Sequence, residues 1–256
     1  MSVWMALPGT LLDARSLAPL QSALGVDPGL WHVDVLGTKP ALNDEIDRLA
    51  RVLVDLRAQH GGPTVVLGHS LGGIVALHLA LHLAVRHPGA VSALVLLAAN
   101  ARAGAASESA NARRAAQWQA ASQQGLSALA RAKLAPGYGL NSDATAEALL
   151  AAQAEAVGLQ RFAHQLGYAA QRPGLLQPPQ RLAMPLLALS ADGDMLCPPE
   201  QGREIAGLSA QGECRVLAGA GHLFPWQQPL WAAQQISDFL SHKLRIPNRK
   251  DDVSCA

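Results

Sequence analysis

Short apolar runs without a polar face, separated by stretches of helical period, constrain this chain more than any other feature. Val3 to Leu7 ends at Pro8-Gly9, Trp31 to Leu36 ends at Gly37, and Pro63 to Leu67 ends at Gly68. Between the last two runs, Ile46, Leu49, Leu53 and Leu56 recur at spacings of three and four, with Asn43 or Asp44 available as a cap. Leu71 to Arg86 is apolar almost all round, as a helix buried beside a sheet would be, and Val91 to Ala98 reads as a further strand. Strands apolar on both faces and alternating with helices predict a parallel sheet covered on both sides, hence an α/β fold.

The rhythm stops at residue 102. From there to residue 181 the chain is rich in Ala, Gln and Leu and offers no strand; 111–123, 126–134, 144–157 and 160–170 read as helices. Strand–helix alternation then resumes, with strands at 185–190 and 214–217 and helices at 200–208 and 230–244. The expected organisation is a core in two parts, 1–101 and 182–244, interrupted by a helical cap at 102–181. The polar tail 245–256 lacks periodicity and is expected to be disordered.

Composition excludes several classes of function. Half of the residues are hydrophobic, 15% are charged and the net charge is +1, with no dense Lys/Arg cluster of the kind nucleic acid or an anionic membrane would call for. The start of the chain lacks the pattern of a signal peptide, and the apolar run Ile74 to Val85 is too short to span a bilayer. A cytoplasmic protein, monomeric or a small homo-oligomer, is expected. Cys197, Cys214 and Cys255 show no CxxC spacing and read as free thiols, with no metal site and no cofactor expected.

The chemistry is written in three segments. Val65-Val66-Leu67-Gly68-His69-Ser70-Leu71-Gly72-Gly73 places Gly-x-Ser-x-Gly between a strand and a helix. Such a turn strains the serine backbone and lifts its hydroxyl above the sheet, and the helix start leaves the Leu71 N–H free to face a substrate oxygen. Serine needs a base, and the base needs a carboxylate to hold its tautomer. The loop after strand 185–190 supplies Asp192 and Asp194; Asp194, in Asp-x-x-x-Pro198, is the better acid, and Asp192 reads as a turn cap. The loop after strand 214–217 supplies His222 in Gly-x-Gly-His, the candidate general base among nine histidines.

With Leu7-Pro8-Gly9-Thr10, Gly68-His69-Ser70-Leu71-Gly72-Gly73, Asp194-x-x-x-Pro198 and Gly221-His222 in this order, the chain resembles the α/β-hydrolase superfamily. It looks most like its small capped serine esterases, the branch of carrier-protein methyl esterases, lactonases and thioesterases. The resemblance implies a nucleophile elbow, a catalytic triad of Ser70, Asp194 and His222, and an oxyanion hole shared by the N–H groups of Leu71 and Thr10. It also implies about six strands, because the chain begins at what is the family's third strand. One departure is Pro8-Gly9, where many relatives carry His-Gly.

The substrate implied is a small-molecule or carrier-bound acyl ester or thioester. Leu11, Phe224 and Trp226, beside the oxyanion and histidine loops, are candidate pocket walls. Trp118, Tyr138, Phe162, His164 and Tyr168 of the cap either line the pocket or pack the cap onto the core. Two rivals remain at this point: a carbon–carbon bond hydrolase or lyase using the same residues, for which Arg113, Arg114 and Arg161 could bind a keto-acid, and a non-catalytic ligand receptor of the same fold.

Overall fold

In a computed structural model of the chain, residues 1–105, 107–135, 138, 143–177 and 181–244 are described; the tail 245–256 lies outside them. Six strands form one sheet: β1 (Val3–Leu7), β2 (Trp31–Val33), β3 (Thr64–His69), β4 (Ala93–Leu97), β5 (Leu186–Ala191) and β6 (Gly212–Leu217). All pairings are parallel, in the order β2-β1-β3-β4-β5-β6. The chain runs outward from β1 to β2 and returns over β1 to β3, so the topological switch point lies between β1 and β3. In open parallel sheets ligands bind outside the carboxyl ends of the strands at such a point.

Strand residues alternate between two apolar layers. Met5, Leu7, Val66, Leu94 and Ala188 pack with α2 (Leu42–His60) and α3 (Leu71–Arg86) on one face. Trp4, Ala6, Leu67, Val95 and Leu189 pack with α1 (Ala14–Leu24) and the closing helix Pro229–Leu244 on the other. The sequence reading has no counterpart to α1, whose helical pattern is interrupted by Pro19. At α2 the cap differs from expectation: Asn43 and Asp44 lie inside its first turn, and Ala41 occupies the N-cap without a side-chain hydrogen bond. Its acidic first turn acts elsewhere. The buried Glu45 carboxylate accepts from the N–H groups of Gly37, Thr38 and Lys39 and holds the loop after β2.

Between β4 and β5 lies the helical insertion: α4 (Glu108–Gln124), α5 (Leu126–Leu129), a π-helical turn (Ala130–Leu134), α6 (Ala144–Val157) and α7 (Leu159–Gln171). After it, β5 and β6 flank α8 (Pro199–Ala206), and α9 (Phe224–Gln227) leads into α10, the closing helix. The insertion builds a third apolar cluster with the loop after β1, in which Leu11 and Leu12 meet Leu126, Leu129, Leu150, Phe162 and Leu223. Among the described residues no helix is long and apolar enough to cross a membrane.

Candidate active site

Four loops converge at the carboxyl edge of the sheet. Ser70 directly follows β3, its N–H donating to Leu97 O at 2.9 Å, and it stands at φ 54°, ψ −119°. A non-glycine residue at positive φ is strained by about 1–3 kcal/mol, and the neighbours that enforce it are visible here. A Cβ at Gly72 would lie 2.0 Å from Leu7 O, and one at Gly68 would lie 2.4 Å from Gly72 O. Only glycines let β1, the turn and the start of α3 approach this closely. Gly9, after β1, is equally near: a Cβ there would stand 3.1 Å from Ser70 Cβ.

The three predicted side chains meet. His222 Nε2 is 2.8 Å from Ser70 Oγ, and His222 Nδ1 is 2.8 Å from Asp194 Oδ2. Because a carboxylate only accepts, Nδ1 carries the proton and Nε2 is the acceptor for the serine hydroxyl. The other oxygen, Asp194 Oδ1, accepts from Leu196 N at 2.8 Å and Cys197 N at 2.9 Å. Burial pushes the Asp194 carboxyl up, but the hydrogen bond and charge of His222 and these two N–H groups outweigh it and hold it below the usual carboxylate range. Asp192, the runner-up acid, accepts from Gly219 N at 2.7 Å and ties the acid loop to the histidine loop.

Besides Asp194, the imidazole meets Tyr138 and His69, which carry no charge. The Tyr138 ring from the insertion stacks on it at 5.1 Å, and the His69 ring lies 5.2 Å away on a tilted plane. Burial, then the charge of His222, drives His69 down to about 3, so it is neutral and its Nε2–H donates to His222 O at 3.0 Å. Burial raises the Tyr138 phenol, and burial with Asp194 pushes the Cys197 thiol up to about 12, so neither ionises near neutrality. The Asp194 carboxylate is the charged partner of the ring, placed to stabilise a positive charge developing on it.

The backbone N–H groups of Leu71 and Thr10 donate to no other described residue. Leu11 is buried, at φ 56°, and its N–H is taken by Gln165 Oε1 at 3.0 Å. Phe162 is buried in the third cluster and Trp226 packs against it. Phe224 lies instead in the layer of α1 and α10, edge-on to Trp231, behind the sheet. Trp118 is 40% exposed on α4. The Tyr168 hydroxyl donates to Lys39 O and His164 Nδ1 to Gly37 O at 2.8 Å, seating the insertion on the loop after β2. Arg161 donates to Val35 O and Arg114 to Ala105 O. Among the described residues no group of His, Cys, Asp and Glu could hold a metal ion.

Sequence reasoning missed His69 and Gln165. The signal for His69 was a polar side chain at the buried end of an apolar strand. For Gln165 it was a polar residue between Phe162 and Tyr168 at three-residue spacing, the buried stripe of α7.

A parallel sheet with a strained serine turn after β3, an acid loop after β5, a histidine loop after β6 and a helical insertion has the layout of the α/β-hydrolase fold. The chain belongs to the Alpha/beta hydrolase family, whose model matches residues 3–235. It is 31% identical over 242 residues to the biotin biosynthesis bifunctional protein BioHC of Cellvibrio japonicus, covering 89% of this chain and 45% of that protein, so it spans about half of this relative's length. In fold it is similar to a thermophilic esterase from Thermogutta terrifontis (TM-score 0.76, 21% identity, 94% of this chain and 90% of that one). It is also similar to the enol-lactonase from Burkholderia xenovorans (TM-score 0.73, 20% identity, 94% and 92%).

Proposed function

We propose that this α/β hydrolase is a serine hydrolase that cleaves a carboxylic ester or thioester of a small, fairly apolar substrate through an acyl-enzyme. The observation that carries the reading is the unbroken chain Ser70 Oγ–His222–Asp194, each link 2.8 Å long. His222 Nε2 takes the hydroxyl proton as Ser70 Oγ attacks the acyl carbon. The carbonyl oxygen becomes an oxyanion facing the N–H groups of Leu71 and Thr10, and Asp194 holds the imidazolium. His222 then protonates the leaving alcohol or thiol; water, giving a proton to His222, adds to the acyl carbon, and His222 returns that proton to Ser70 Oγ as the acid leaves. Leu11, Phe162 and Trp226 belong to the apolar cluster beside the site, which supports an acyl group without charge. An esterase and an enol-lactonase among the similar folds agree with this chemistry, and the likeness to a protein of biotin biosynthesis makes a carrier-bound acyl ester one substrate to try.

The test is hydrolysis of p-nitrophenyl esters from acetate to dodecanoate by the wild type and Ser70→Ala. Turnover by the wild type alone supports the reading, and the preferred length sizes the acyl site. Silence of the wild type on every ester and thioester would overturn it.

A further inference from the structure

The loop after β1 is fastened by two glutamines of the insertion. Gln153 Oε1 accepts from Asp13 N at 3.0 Å. Gln165, 0% exposed, spends both ends of its amide: Oε1 accepts from Leu11 N and Nε2 donates to Leu36 O, each at 3.0 Å. The residue it grips is the strained one. Leu11 stands at φ 56°, in the left-handed region that leucine rarely adopts, and no glycine eases it.

Two successive N–H groups, those of Thr10 and Leu11, leave this loop beside Ser70, and among the described residues that of Leu11 has an acceptor and that of Thr10 has none. We infer that Gln165 is a positioning residue for the oxyanion hole. By accepting the Leu11 N–H it holds Leu11 in the left-handed turn and leaves the Thr10 N–H facing the acyl oxygen. The inference rests on the serine hydrolase reading above and extends it to a residue that touches no substrate.

The physical reasoning runs through strain. A left-handed leucine persists only where its surroundings over-determine it. The buried amide does this from one side, and the third apolar cluster, in which Leu11 is fully enclosed, does it from the other. Without the acceptor, Leu11 N–H is a buried donor with no partner, and the turn relaxes toward negative φ to find one. That rotation swings the Thr10 end of the loop relative to Leu12 and moves the donor away from the oxygen. Gln165 also holds Leu36 after β2, so the seat of the insertion and the geometry of the hole are set by one side chain.

The experiment compares kcat and KM of the wild type, Gln165→Met, Gln165→Glu and Ser70→Ala on the best ester of the series across pH. Methionine matches glutamine in size and offers no acceptor to Leu11. Its kcat should fall about ten- to a hundredfold with KM changed by less than about threefold, because the donor acts most strongly on the transition-state oxygen. Glutamate keeps an acceptor for the Leu11 N–H in either protonation state and loses only the donor to Leu36 O when it ionises, so its kcat should stay within about threefold of wild type. A role in packing alone would lower the melting temperature and leave kcat of Gln165→Met no lower than that of Gln165→Glu. A folded Gln165→Met with kcat within about twofold of wild type overturns the inference while Ser70-dependent turnover keeps the hydrolase reading. If Gln165→Met does not fold, a Gln165→Glu whose kcat falls about tenfold or more with its acceptor intact overturns the inference instead. A wild type with neither Ser70-dependent turnover nor labelling of Ser70 by a fluorophosphonate overturns both.

Discussion

The sheet edge and the helical insertion hold the residues around Ser70 and Leu11 by different means. At the edge, position comes from main-chain geometry: Ser70 follows β3 directly, and the acid and histidine loops are joined by hydrogen bonds such as Gly193 N to Ala220 O at 3.0 Å. The insertion is seated by long polar side chains on main-chain carbonyls and N–H groups far away in sequence. Arg161 reaches Val35 O across 126 residues, and Gln165 reaches Leu11 N across 154. A register-built site tolerates little change in backbone volume. A site built by side chains can be re-seated one hydrogen bond at a time.

The sharpest break of this contrast is chemical. Ser70→Ala should lower kcat by about 10⁴ or more, about 5 kcal/mol of barrier, measured by burst and steady-state kinetics on the preferred ester. Asp194→Asn should cost a comparable factor, because an amide can leave the imidazole in the wrong tautomer. Neither change should move the melting temperature as far as the glycine change that follows. A Ser70→Ala variant with near wild-type turnover would move the chemistry off the edge altogether.

Backbone volume separates the two regions next. Gly72→Ala forces a Cβ to 2.0 Å from Leu7 O, main chain against main chain in the middle of the fold. The expected loss is more than about 3 kcal/mol in urea unfolding, or no folded protein. Gly158→Ala, between α6 and α7 at φ 82° with nothing within 4 Å, meets strain alone and should cost about 1–2 kcal/mol. Equal losses at the two sites would refute the distinction.

The same contrast explains what could be read in advance. Strand–helix alternation, the Gly-x-Ser-x-Gly turn, Asp194 and His222 are legible because each is set by residues within a few positions of it. The presence of a helical insertion was legible from the absence of strands. What Gln165, Gln153 and Tyr138 do was not, because each acts on a partner that the fold alone brings near; the buried stripe of α7 marks Gln165 as buried but not its partner, and Gln153 in the Ala-rich α6 carries no local mark at all. Phe224 shows the reverse case: its place beside His222 in sequence pointed to the pocket, yet the first turn of α9 aims it at Trp231 in the core. His69 was hidden by its own motif, where the eye goes to the serine.

Acid should act mainly on the core. Folded, His69 titrates at about 3 and His78 of α3 at about 4, both lowered first by burial, against about 6.5 unfolded. Below pH 6.5 the unfolded chain therefore binds protons that the folded chain refuses. Each histidine contributes stability that is complete above pH 6.5 and shrinks by about 1.4 kcal/mol per pH unit down to its folded value. Asp194 works in another window: its lowered carboxyl stabilises the fold above about pH 4 and is lost only in stronger acid. Urea midpoints between pH 6.5 and 4.5 should fall steeply in the wild type and about half as steeply in His78→Leu. An unchanged slope would remove His78 from this account.

The smallest effect is the one that tests whether the insertion acts as a block. Arg161→Ala removes a half-buried hydrogen bond of 2.6 Å to Val35 O and leaves Gln165, one turn further along α7, in place. The expected cost is about 1 kcal/mol, a fall of about 2–4 °C in melting temperature, because solvent can reach the carbonyl left behind. If the hole is governed through Leu11 alone, kcat of this variant stays far closer to wild type than that of Gln165→Met. If both variants lose kcat equally, the seating of α7 as a whole sets the loop. The division between an edge built by register and an insertion fastened bond by bond would then fail at the contact where the two meet.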